Sequence, residues 1–326
     1  MKMIPILLLL SPFATAQVTR LEFTEVLVDP VGADAGQQVI EYQNTGNVDI
    51  DTSTWYLAAG STTTALPKLI IPIGTIGRIH VGKNGASSKA DLYLPTHRTL
   101  SKSDSLAFFK SQSFGDPKAL VDFVSWGGGQ GYIALAVQAN EWGSTFETVT
   151  LPKSEGHTIA HFMRDAYGRG NSATDWYQDG TPTLGVANDP GSMFNVGFGC
   201  PSMTNRPSLG SGRPEGRPWI GETWELDLYN LPYSLGTALV FFGIKPVTPI
   251  PLDPLGVTGC TLNLKIDVIL PVPHNQGSGK LQALVPKDPA LVGSQFYTQA
   301  LILDPTYVNP AHAATTNCLI LKIGSR

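Results

Sequence analysis

The feature that most limits the fold of this chain is the length of its apolar runs. Nowhere in the 326 residues does an apolar face recur at helical spacing for long; the best segments either alternate or run apolar for only four to eight residues. Gly (34) and Pro (25) fall between these runs instead of gathering into repeats, which puts a turn after nearly every one. Such a pattern predicts an all-β chain, and at about 100 to 200 residues per domain it has room for two domains with cores of their own. Only 15% of residues are charged, which suits sheet faces dressed with Thr, Ser and Asn.

At the N-terminus Lys2 precedes an apolar run from Ile4 to Leu10, then Pro12 and the small triplet Ala14-Thr15-Ala16. That is the order of a secretory leader, expected to occupy residues 1–16 and to be cut before Gln17. The run falls well short of the roughly 20 residues that span a bilayer. No later segment is longer, and the closing "NCLILKIGSR" has no hydrophobic tail, so the expectation is an exported chain without a membrane span.

Charge separates the two halves. Residues 17–196 hold 12 Lys and Arg against 18 Asp and Glu, a net of −6, while residues 197–326 hold 9 against 8, a net of +1. Neither half is the basic platform that nucleic-acid binding by counterion release needs. The local group Arg206, Arg213 and Arg217 lies in a Gly/Pro-rich stretch and reads as solvated loop charge. That stretch, "TPTLGVANDPGSMFNVGFGCPSMTNRPSLGSGRPEGRPWIGE", has too few clustered apolar residues to nucleate an element and reads as a connector. The first domain is therefore expected at residues 20–190 and the second at residues 197–326.

In the first domain "RLEFTEVLVDP" alternates with a slip, with Leu21, Phe23, Val26 and Val28 inward and Glu22, Thr24 and Glu25 outward. In "VIEYQNTGNVDIDTSTWYLAAG", Ile40 and Tyr42 face the core. Glu41 is an acid beside a turn, able to accept backbone N–H bonds, and Asn44 caps that turn. Gly46 or Asn47 supplies a positive φ, and Trp55 with Leu57 fills the core.

These blocks, with "DSLAFFK", "ALVDFVSWG" and the closing "HTIAHFMRDAYGRGNSATDWYQDGTPTLGVAN", resemble the lamin-tail domain, an immunoglobulin-like module found in nuclear lamins and in secreted bacterial proteins. The resemblance covers about 170 residues. One segment departs from it, "QGYIALAVQANEWGSTFETVTLP", which is longer and more apolar than the usual hairpin. It implies a β-sandwich for the first domain.

The second half reads as another sandwich. "GETWELDLYNLP" places Trp224, Leu226 and Leu228 on one face, "TALVFFG" is a short buried strand, and "GCTLNLKIDVILPVP" is one long alternating strand. "SQFYTQALILDP" and "NCLILKIG" close the set. With "GCP", "PWIGETWEL" and "PLDPLGVTGCTL" this half resembles a small C-terminal module of secreted bacterial proteins. That resemblance implies a disulfide between Cys200 and Cys260, leaving Cys318 as a buried thiol.

The search for chemistry returns little. "HNQGSGKLQ" has His274 where a P-loop needs glycine, and it reads as a turn. "HTIAH" lacks the Glu of a zincin and reads as a strand placing His157 and His161 on one face. There is no Gly-x-Ser-x-Gly, and Cys318 has no recognisable His partner. Asp29, Asp34, Asp49 and Asp51 lie in loops, as calcium ligands do or as solvated turn acids do, and they lack EF-hand spacing. Trp126 in "SWGGGQGY" and Trp142 in "NEWGS" stand near glycines, as exposed rings that stack on sugars or as core.

The sequence thus points to a secreted, non-enzymatic interaction or structural protein of the cell surface or matrix, with no cofactor and with a protein or glycan partner. A carbohydrate-binding module working through exposed aromatics is the alternative, and a cryptic hydrolase a third.

Overall fold

The computed structural model describes residues 17–162, 171–200, 206–211 and 217–326; the leader expected at residues 1–16 lies outside them. The chain is all-β, with sheets packed in sandwich fashion. It forms two compact units, the first holding the described chain up to Val149 with Asn171–Ala173, and the second the described remainder. Among the described residues no helix is long and apolar enough to cross a membrane.

The first unit contains β1 (Leu21–Leu27), β2 (Val39–Asn44), β3 (Ile50–Asp51), β4 (Tyr56–Ala59), β5 (Thr62–Ala65), β6 (Ile70–Ile71), β7 (Ile76–Val81), β8 (Asp91–Leu94), β9 (Asp104–Phe109) and β10 (Leu120–Trp126). Strands β1, β2, β7 and β8 lie side by side in one sheet, and β10, β9, β4 and β5 in another. Between them the Phe23 and Phe108 rings stack at 4.0 Å, and Ile40, Tyr42, Leu57, Phe109 and Phe123 are buried. Trp55 and Leu57 are both buried, as the alternation requires.

Three local expectations are corrected. Glu22, Thr24 and Glu25 do not face solvent. The β1–β2 register shifts between Phe23 and Glu25, and all three side chains are buried under a polar network. In it Arg20 pairs with Glu22 (2.5 Å) and with Glu141 (2.7 Å), and the Thr24 hydroxyl donates to Glu41 (2.6 Å). Glu41 is accordingly a buried mid-strand acid opposite Glu25, not an acid beside the turn. The turn itself is capped by Asn44, whose Oδ1 accepts from Gly46 N–H at 3.0 Å and whose Nδ2 donates to Val48 and Ile71 carbonyls. Gly46 and Asn47 have no positive φ; glycine is needed at 46 because a Cβ would run into the Val18 carbonyl. The long apolar segment after β10 folds as α1 (Ile133–Gln138), which buries Ile133 and Ala136.

The second unit opens with the hairpin of β11 (Thr158–His161) and β12 (Trp176–Asp179). There Ala160, Phe162 and Tyr177 cluster with Trp219, whose indole N–H donates to the Pro190 carbonyl at 2.7 Å. Its remaining strands are β13 (Ser192–Val196), β14 (Ser208–Gly210), β15 (Thr223–Tyr229), β16 (Gly236–Gly243), β17 (Pro246–Pro251), β18 (Thr261–Leu264), β19 (Val268–Asn275), β20 (Ser278–Leu284), β21 (Gln295–Leu303), β22 (Ala313–Thr315) and β23 (Cys318–Lys322). A nine-stranded sheet runs β13-β23-β21-β16-β19-β20-β15-β14, with β22 also on β21. Trp224, Leu226 and Leu228 project from one face of β15 into a core with Val240, Val272, Ile302 and Leu321.

Three further corrections concern this unit. The stretch read as a connector contributes β13 and β14, because β23, far along the chain, and β15, the next strand, supply the pairing that local composition lacks. "GCTLNLKIDVILPVP" is two strands, β18 pairing with β17 and β19 pairing with β16, since the chain crosses from one sheet to the other at Lys265–Asp267. Arg217 is not solvated loop charge either: its guanidinium lies 4.4 Å from the Phe162 ring centre and donates to the Gly191 carbonyl. Arg213 lies outside the described residues.

Candidate functional site

The long sheet of the second unit does not close strand to strand. Its end strands, β13 and β14, are joined instead through one buried amide. Asn317, between β22 and β23, accepts from Leu209 N–H (2.7 Å) and donates to the Leu209 carbonyl (3.1 Å) and to Asn195 Oδ1 (2.7 Å). A seam of this kind leaves a gap where a backbone ladder would otherwise lie.

The gap is an open cleft of about 320 Å³, lined by Asn195, Phe198, Arg206, Ser208, Asn230 and Asn317 with the adjoining Gly197, Gly199 and Pro207. Local sequence shapes its rim. In "NVGFGC", Gly197 takes φ +69°, and a Cβ at Gly199 would collide with the Pro207 carbonyl. Cys200 then anchors the strand end, its N–H on the Thr315 carbonyl at 2.9 Å and its sulfur bonded to Cys260 across 5.3 Å between Cα atoms. Held between those two glycines and the bridge, Phe198 is 82% exposed. The Arg206 guanidinium stands 5.8 Å from the ring centre, and the Arg206 carbonyl accepts from Asn230 Nδ2 at 3.2 Å. Among the described residues no carboxylate lines the cleft.

Sequence reasoning did not single out Phe198, Asn195, Asn230 or Asn317, and it placed Arg206 in solvated loop charge. The one local signal was an aromatic residue between two glycines beside a bridging cysteine.

The residues proposed from sequence are placed elsewhere. Trp126 is fully buried, its indole N–H on the Ser101 carbonyl at 2.9 Å. Trp142 is 2% exposed, donates to the Glu147 carbonyl at 3.0 Å, and meets Phe123 edge to face at 5.4 Å. Neither ring offers a face to a sugar. The four loop aspartates hold separate local roles: Asp29 pairs with Lys102 at 3.0 Å, Asp49 accepts from Ile73 N–H, and Asp51 caps a short turn through Ser53 N–H. The Asp34 carbonyl accepts from Gln37 N–H. Among the described residues no three His, Cys, Asp or Glu side chains gather as a metal ion would require. His161 lies edge to face on Trp176 at 5.1 Å, and His157 precedes its strand.

Among the described residues Ser234, His274 and Asp304 come nearest to a triad. The Ser234 hydroxyl donates to Asp304 (2.5 Å) and not to the imidazole. Burial would raise the Asp304 carboxyl; hydrogen bonds from Ser234 and Thr306 outweigh it and hold the group below its usual range. His274 is buried, with neither ring nitrogen hydrogen-bonded. A serine nucleophile needs its hydroxyl on the base, and this one is turned to the acid. Burial pushes the Cys318 thiol up to about 11, which disfavours thiolate formation.

No protein-family model matches the chain, and no curated protein matches it.

Proposed function

We propose that the protein is an exported, non-enzymatic interaction protein: a lamin-tail-like sandwich followed by a cysteine-bridged second unit that holds a ligand at the cell surface or in the matrix. The observation that carries this reading is the seam cleft, where an aromatic ring is held in solvent beside a cation and an amide floor. Exposing an aromatic side chain forgoes about 1.5–3 kcal/mol of burial, and a packed scaffold of this size has other places to put one. The Cys200–Cys260 bridge and the leader-like N-terminus support an oxidising compartment.

The test is retention of the full chain on washed extracellular matrix from the producing culture, compared with a Phe198→Ala/Asn230→Gly variant. Both side chains are exposed and glycine keeps the left-handed backbone at position 230 (φ +55°), so the variant should melt close to the parent protein and lose at least tenfold in retained protein. Equal retention of the two would overturn the assignment of the cleft.

A further inference from the structure

We propose that the cleft takes an acidic saccharide, with a pyranose ring seated on Phe198 and its carboxylate on Arg206. The inference rests on the interaction reading above and narrows it to a ligand class. It starts from which polar atoms of the cleft are committed and which are open. Asn317 is fully used: Oδ1 takes Leu209 N–H, and Nδ2 serves both the Leu209 carbonyl and Asn195 Oδ1. It is a rigid floor. Asn195 is left with its Nδ2 donor, Asn230 with its Oδ1 acceptor, and Ser208 with a hydroxyl that serves as either.

This is a mixed set of donors and acceptors around an aromatic ring, and a saccharide matches it. Each sugar hydroxyl both donates and accepts, and the C–H face of a pyranose is the apolar surface that packs on an aromatic ring. A peptide strand adding to the sheet would instead need an open row of backbone N–H and C=O groups. At the seam Leu209 offers neither, since both are taken by Asn317. The volume, about 320 Å³, lies at the small end of ordinary ligand sites, which run from about 300 to 1,000 Å³.

The acidic preference comes from Arg206. Its guanidinium has no carboxylate partner among the described residues, and it stands 5.8 Å from the Phe198 ring centre, within cation–π reach. With no Asp or Glu among the described lining residues, none of them competes for the fork. A carboxylate at the rim of a stacked sugar meets it by charge-assisted hydrogen bonds, the strongest kind available to this site.

The experiment is calorimetric titration of the full chain with tetragalacturonate and, separately, with cellotetraose. The expected result is at least tenfold tighter binding of the uronate. Phe198→Ala should abolish uronate binding, and Arg206→Gln should weaken it at least tenfold, with melting temperatures unchanged. Binding of neither sugar, equal binding of both, or unchanged uronate affinity in Arg206→Gln would overturn the proposal. If matrix retention still depends on Phe198 and Asn230 while tetragalacturonate fails to bind, the saccharide inference falls and the interaction reading stands. Loss of both results removes both.

Discussion

Replacing both bridging cysteines with alanine should destabilise the second unit by an amount set by chain length. The Cys200–Cys260 bridge closes a loop of 60 residues. In the loop-entropy account a closure of this length restricts the unfolded chain by about 4 kcal/mol at 25 °C. Both sulfurs are buried beside Val257 and Ala313, so alanine leaves the surrounding apolar contacts largely in place and brings in no new hydroxyl. What is lost in addition is the pair of Thr315 contacts to the Cys200 sulfur, from its N–H at 3.3 Å and with its hydroxyl at 3.1 Å, both weak by comparison. At roughly 2–4 °C per kcal/mol for a unit of 150–250 residues, the melting temperature should fall by about 8–16 °C. Scanning calorimetry of the full chain measures this, with the oxidised wild type, the reduced wild type and C200A/C260A compared at one concentration. The reduced protein and the double variant should agree, because both lack the same tether. A fall of under about 2 °C, set against the loop entropy expected from this chain length, would refute the reasoning, since the unfolded chain would then not be limited by the bridge.

Two other outcomes are expected. Trp126→Ala should cost about 3–5 kcal/mol in urea unfolding, the usual penalty for emptying a buried aromatic site, because the ring is wholly enclosed and its N–H serves the Ser101 carbonyl; a change below about 1 kcal/mol would mean that the indole is not core. Asp122 is buried and accepts from Phe23 N–H at 2.6 Å, and burial, reinforced by Glu22, pushes its carboxyl well above the usual 3.8. A carboxyl raised on folding contributes stability below its unfolded pKa and loses it as pH rises toward its folded value. Asp122→Asn keeps the acceptor without the charge, so its urea midpoint relative to wild type should rise between pH 4 and pH 7, and a difference that shrinks over that range would contradict the assignment.

Several elements were legible in the residues alone, and for a local reason. Alternation and turn chemistry act between neighbours in sequence, so the strands at Leu21–Leu27, Val39–Asn44 and Thr223–Tyr229, the buried faces of Trp55 and Trp224, and the Asn44 cap could all be read directly. The failures share a different cause. Glu22 and Glu25 look solvated until Arg20 and the neighbouring strand cover them, and β13 and β14 gain their place from strand partners, β13 from β23 far along the chain and β14 from β15, that local composition does not announce.

The cleft belongs wholly to this second kind. Asn195, Arg206, Asn230 and Asn317 are ordinary polar residues in separate loops and strand ends, and no spacing among them carries information. Only when the nine-stranded sheet stops short of closing, and Asn317 ties its two ends through the Leu209 backbone, do they line one space beside Phe198. Sequence by itself determined that this chain would build sheets and that Trp55 and Trp224 would face a core, because apolar period is a property of short segments. Where the sheet would fail to meet itself, and which side chains would face that gap, was decided by long-range strand pairing in the folded protein.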